Sequence, residues 1–124
     1  MKTKALTLAK DLSGRSTIKI KVGAVVYNKR EIVSWGWNNP GQGYGEHAES
    51  MAIRRLNNRT IQHPNLPLFI SVYASRKGKP ITSRPCRDCE RFLRSVHIHG
   101  ASYLRKEELD GKFVSYEVSE EYGI

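Results

Sequence analysis

Two short segments, His47-Ala48-Glu49 and Cys86-Arg87-Asp88-Cys89, hold the residues best suited to chemistry. One imidazole and two thiols are three metal donors. Zinc held by three protein ligands keeps its fourth tetrahedral position for water, whose pKa then falls toward roughly 7. A structural site needs a fourth ligand, and His63, His97 and His99 lie at no spacing that pairs them with His47 in a finger pattern. The donor count is therefore catalytic. Glu49, an unligated carboxylate beside such a water, is placed to take a proton from the nucleophile and deliver it to a leaving group. Alone, Cys-x-x-Cys fits a redox pair or an incidental buried pair equally well; the combination with His-x-Glu carries the reading.

The elements that must position these residues follow from periodicity. Ala5, Leu8, Ala9 and Leu12 recur at helical spacing ahead of Gly14, which predicts an amphipathic helix covering one face of a sheet. Ile18, Ile20, Val22, Ala24 and Val26 alternate as a strand, 28–31 turns, and Ile32 to Trp37 returns as its antiparallel neighbour. Trp35 and Trp37 are read as core residues rather than a base-stacking platform. NNPGQGYGE over 38–46 is too rich in Gly and Pro for a regular element. A helix follows, with Ala48, Met51, Ala52, Arg55 and Leu56 on its apolar spacing. His47 and Glu49 would face opposite sides of a regular helix, so both reach one site only at an irregular helix start.

Farther on, 66–74 is a third strand, and SRKGKPITSR over 75–84 reads as a basic loop. Pro85 is expected to open a helix from Cys86 to about Val96, with both cysteines on one face near the positive end of the helix dipole. Strands over 101–105 and 112–118 are joined through Asp110-Gly111, a strong hairpin signal, so the last strand runs antiparallel to the one before it. The order α, β, β, α, β, α, β, β predicts an α/β fold, a three-layer α-β-α sandwich around a five-stranded mixed sheet, in a single domain over 1–124.

Composition sets outer bounds. No apolar run approaches the ~18 residues of a membrane span, and the N-terminal stretch lacks the apolar core and cleavage site of a secretory signal, so cytoplasmic residence is expected. A bridge between cysteines two residues apart would close too short a loop to stabilise much. The net charge is +9, yet residues 1–100 hold 18 Lys/Arg against 6 Asp/Glu, whereas 101–124 hold 3 against 6. A basic body attracts phosphate-bearing molecules, nucleotides or single-stranded nucleic acid, through its basic loops.

His47-Ala48-Glu49 followed by Pro85-Cys86-Arg87-Asp88-Cys89 resembles the H-x-E and P-C-x-x-C signature of the zinc-dependent cytidine and deoxycytidylate deaminase superfamily. KVGAVVYN and SWGWNNP resemble the first hairpin and substrate loop of deoxycytidylate and tRNA adenosine deaminases, so the likeness covers most of Lys21 to Val96. The closing hairpin is similar instead to that of cytidine and blasticidin deaminases, and small phage-type deaminases look similar overall. The resemblance implies His47, Cys86 and Cys89 as ligands of Zn2+ and Glu49 as proton shuttle. It further implies Asn38 as a sugar or base contact and the Ala48 backbone N–H as a donor to the pyrimidine. Tyr44 is a candidate for stacking on the base, and Arg84, with Arg76, Lys77 and Lys79 in the same basic run, for a substrate phosphate.

The expected function is hydrolytic deamination of cytosine to uracil in a free nucleoside or nucleotide such as dCMP. The other readings are a cytosine or adenosine deaminase of single-stranded DNA or RNA, and a non-catalytic zinc-stabilised nucleic-acid-binding module, against which Glu49 argues. The resemblance also implies assembly into a homo-oligomer.

Overall fold

In the computed structural model, which describes residues 1–40, 47–56 and 60–123, one mixed sheet separates two helical layers. The elements are α1 (Lys2–Ser13), β1 (Ile20–Tyr27), β2 (Ile32–Trp37), α2 (Ala48–Leu56), β3 (Leu68–Arg76), β4 (Lys79–Ile81), α3 (Arg87–Ser95), β5 (Ile98–Leu109) and β6 (Lys112–Glu121). Strands run in the order β2-β1-β3-β5-β6, with β4 paired to β3. Among the described strands only β3 and β5 pair in parallel, and the connection between them runs through α3, as a parallel pair requires a crossover. The three-layer α/β sandwich expected from the order of elements is the observed fold.

One apolar cluster lies on each face. Ala5, Ala9 and Leu12 of α1 pack with Val25, Tyr27 and Tyr73. On the other face Ala48, Ala52 and Ile53 of α2 and Leu93 of α3 meet Ala24, Val26, Ile70, Val72 and Ala101. Alternate residues along β1 thus serve opposite cores, as a period of two requires. Two glycines let the helices approach closely. A Cβ on Gly23 would strike the Ala9 carbonyl oxygen, and one on Gly36 would lie 2.7 Å from the Ala48 oxygen and 2.8 Å from the Ala52 nitrogen.

The sheet differs from expectation at 75–84. Lys77 and Gly78 both take positive φ (53° and 76°), forming a tight turn after which Lys79–Ile81 pairs back onto Ala74–Arg76 as a sixth strand. Length hid this hairpin: Lys79-Pro80-Ile81 is too short to show apolar alternation. The last two strands are also longer than expected, since β5 and β6 pair from Gly100↔Glu121 to Leu109↔Lys112. Their turn at Asp110-Gly111 has φ of 51° and 78°, as a two-residue hairpin demands. Trp35 and Trp37 are half-buried against the α1-side core, with the Arg15 and Arg55 guanidiniums 5.1 and 4.8 Å from the Trp37 ring centre. Among the described residues no helix is long and apolar enough to cross a membrane.

Candidate active site

The starts of α2 and α3 meet over the C-terminal half of β3 and open into a cavity of about 300 Å³. His47 stands immediately before α2, its carbonyl accepting from the Met51 N–H at 3.0 Å. It is thus outside the helix, whereas Glu49 lies within the first turn. That placement brings both side chains to the cavity wall, resolving the two-residue spacing that a regular helix would have forbidden. Glu49 is 5 % exposed.

Cys86 caps α3. Its backbone is extended (φ −64°, ψ 167°) and its sulfur accepts from the Cys89 N–H at 3.4 Å. The helix therefore starts at Arg87, one residue later than the expected start at Cys86, and Pro85 precedes the cap. A thiol accepting an otherwise orphaned N–H explains the shift. Ser83 fixes the approach to Cys86. Its Oγ donates to Val72 O (2.9 Å), its N–H donates to Leu104 O (2.9 Å), and the Leu104 N–H donates back to Oγ (3.0 Å). One serine so bridges β3 and β5 beyond the end of their parallel pairing at Val72↔Tyr103.

The ligand atoms of His47, Cys86 and Cys89 lie within 4.8 Å of one another, and Cys89 Sγ is 3.2 Å from His47 Nδ1. Cys89 is buried, Cys86 and His47 exposed. Burial, then the Glu49 charge and a hydrogen bond with Cys86, push the Cys89 thiol well above the ordinary thiol range. Three groups that are anionic when deprotonated crowd one imidazole, and a divalent cation is the partner that turns this mutual repulsion into attraction. The donor set, two soft sulfurs and one nitrogen, fits zinc.

The remaining predicted residues are distributed as follows. Asn38 lines the cavity and extends the sheet: Oδ1 accepts from Val22 N–H (2.9 Å) and Nδ2 donates to Ile20 O (2.7 Å). One amide hydrogen and one lone pair stay unused by those bonds. Ala48 is fully buried at the cavity wall, its N–H among the first of α2, which have no intrahelical acceptor. Tyr44 lies outside the described residues. Arg84 reaches the cavity rim, with Nε 3.2 Å from Glu120 Oε1 and a terminal nitrogen 3.9 Å from Glu90. Of the other histidines, His97 ends α3 with φ 64° and donates its N–H to Arg94 O, while the His63 N–H donates to Glu31. None of His63, His97 and His99 lines the cavity.

The Glu120–Tyr103 pair behind Arg84 escaped sequence reasoning. Tyr103 donates its hydroxyl to Glu120 Oε1 at 2.7 Å, which orients the carboxylate toward Arg84. The signal was available, since a two-residue turn at Asp110-Gly111 sets Glu120 opposite Ala101 by counting back along the hairpin. Ile18, Ile20, Ile81 and Thr82, which also line the cavity, carry no such signal.

Residues 1–104 match the family described as the cytidine and deoxycytidylate deaminase zinc-binding region. Among solved structures, cytidine deaminase from Burkholderia pseudomallei shares the fold at a TM-score of 0.65 and 14 % identity, over 94 % of this chain and 91 % of that one. The dCMP deaminase of cyanophage S-TIM5 in apo form is similar at 0.56 and 20 % identity, over 79 % and 77 %. Its complex with dCMP and dUMP gives 0.55 and 20 %, over 78 % and 75 %. No curated protein is matched by sequence. With a His/Cys/Cys cluster at paired helix starts and a family match spanning most of its length, the chain belongs to the cytidine and deoxycytidylate deaminase zinc-binding family.

Proposed function

We propose that this protein hydrolyses the exocyclic amine of cytosine in a free nucleoside or nucleotide such as dCMP, with Zn2+ held by His47, Cys86 and Cys89. The observation that carries the reading is the buried Glu49 carboxylate lining the same cavity as the three donors. Bound zinc supplies Lewis acidity that makes a water nucleophilic near neutral pH. Glu49 accepts a proton from the water that attacks C4 and returns it to the departing amine. Water and cytosine are consumed, uracil and ammonia released. Burial of Glu49 away from bulk solvent keeps that proton within the site.

The rest of the wall serves binding. The Ala48 N–H, at the positive end of α2, suits an acceptor on the pyrimidine. Asn38, anchored to β1 by two hydrogen bonds, has one donor and one acceptor for the sugar or base. Arg84, half-exposed at the rim, meets a substrate phosphate on the edge that Glu120 does not occupy. A cavity of about 300 Å³ sits at the small end of ligand pockets, which favours one nucleotide over a splayed strand. The structural relatives include a dCMP deaminase solved with dCMP and dUMP, which supports the same choice.

The test is direct. Zinc-loaded protein is incubated with cytidine, dCMP and a cytosine-containing oligonucleotide while ammonia and uracil are followed, beside Glu49→Gln. Turnover of the monomeric substrates, lost by about 10²- to 10⁴-fold in the variant with zinc retained, is expected. Turnover of the oligonucleotide alone would move the assignment to a polynucleotide, and unimpaired Glu49→Gln would overturn the mechanism.

A further inference from the structure

The cavity opens where β3 and β5 part. Their parallel pairing ends at Val72↔Tyr103, and farther along β3 pairs with β4 instead, Ala74 with Ile81. From Ile81 the chain crosses the gap between the two strands. Thr82 Oγ1 accepts from the Lys106 N–H at 3.0 Å, and Ser83 bonds to both sides at the apex. Val72, Ala74, Ile81, Thr82 and Ser83 all line the cavity. Cys86, the cap of α3, comes only three residues after this crossing, so the crossing point sets where the chain enters the helix.

At the apex the Ser83 hydroxyl stands where a rung of the ladder would be. One more rung of a parallel ladder joins the Leu104 N–H directly to the Val72 oxygen. Here Oγ accepts from that N–H at 3.0 Å and donates to that oxygen at 2.9 Å, while the Ser83 N–H donates to the Leu104 oxygen at 2.9 Å. The place calls for one small group that is donor and acceptor at once. Ser83 is 5 % exposed, so a carbon in place of Oγ would leave a buried N–H and a buried oxygen unpaired. The strands can satisfy both by closing to the ordinary spacing of about 4.8 Å. That closure expels the crossing and carries Cys86 with it.

We propose that Ser83 is a positioning residue for the metal donors, its hydroxyl holding β3 and β5 apart at the point from which the chain rises into α3. This rests on the reading of His47, Cys86 and Cys89 as zinc ligands. Both sulfurs travel with the start of α3. His47 instead stays with α2, which is packed on β2 at Gly36. The spacing of β3 and β5 thereby sets the distance from the sulfurs to the imidazole. Ser83 acts through the backbone of 84–86 and needs no contact with metal or substrate.

Threonine and valine share a shape and differ in the hydroxyl, so Ser83→Thr and Ser83→Val separate the hydrogen bonds from packing. Zinc affinity is measured by chelator competition, donor geometry by the absorption spectrum of the Co2+-substituted chain, and folding by circular dichroism. Ser83→Thr should stay close to wild type. Ser83→Val should bind zinc about 10- to 100-fold more weakly, as loss of a group that orients a ligand does, and its cobalt bands should move. Should Ser83→Val not fold, Ser83→Ala takes its place against wild type. Equal affinities and superimposable cobalt spectra in the threonine and valine variants would overturn the proposal, whatever their melting temperatures. So would a Ser83→Ala chain with the affinity and spectrum of wild type. A wild-type chain that takes up no stoichiometric zinc would instead remove the ligand assignment itself.

Discussion

Replacing Gly36 by alanine tests whether close approach of α2 to β2 sets the site. The added Cβ would lie 2.7 Å from the Ala48 oxygen and 2.8 Å from both the Ala52 nitrogen and the Met51 Cβ. Two of these are helix backbone, which cannot rotate away. Reaching ordinary contact at 3.4 Å requires α2 to retreat by about 0.6–0.7 Å, carrying His47 and Glu49 away from Cys86 and Cys89. Overpacking of this kind costs about 1–3 kcal/mol, which for a domain of this size lowers Tm by roughly 3–12 °C. A shift near 1 Å between groups that act together costs on the order of 10²-fold in rate, so a loss of about 10- to 100-fold is expected. Thermal denaturation and turnover are measured beside Gly78→Ala. At Gly78 φ is +76° and a Cβ would meet nothing within 4 Å, so that variant should lose stability by backbone strain yet keep its rate. Unchanged turnover in Gly36→Ala, or an equal loss in Gly78→Ala, would refute the reasoning.

Cys89→Ser and His47→Ala should each abolish stoichiometric zinc by elemental analysis; in wild type a chelator should lower Tm by several degrees, and in the variants it should change nothing. Asn38→Ala removes both side-chain bonds to β1 and should destabilise by about 1–3 kcal/mol in denaturant unfolding while raising KM. Burial pushes the Glu31 carboxyl up, but hydrogen bonds from the Gln62 backbone, the Asn28 amide and the His63 backbone outweigh it and hold the pKa below the ordinary carboxylate value. The folded pKa is depressed, so this contribution is present above the unfolded value and lost as pH falls through the folded one. Thermal melts of wild type and Glu31→Gln should therefore differ at pH 6–7 and converge in acid below the usual carboxylate range.

How much of the site was legible depends on how local each signal is. His47, Glu49, Cys86 and Cys89 announce themselves by type and spacing, and the Gly-rich loop and Pro85 mark where helices begin. The positioning residues do not. Ser83 looks like any loop serine until β3 and β5 are neighbours, and Glu120 looks like a tail acid until the hairpin register sets it beside Tyr103 and Arg84. β4 was hidden because a strand of three residues, Lys79-Pro80-Ile81, is too short to show a period of two.

Sequence alone determined which side chains could donate to a metal, the carboxylate two residues from one of them, the closing hairpin and the order of elements, since each rests on residues within a few positions of one another. Tertiary structure decided that Cys86 caps α3 through its sulfur, that His47 stands just outside α2, and that Asn38 anchors itself to β1. It also decided which charges meet at the cavity rim. Those outcomes depend on which strands become neighbours and how closely helices pack on them, which no local pattern of side chains encodes.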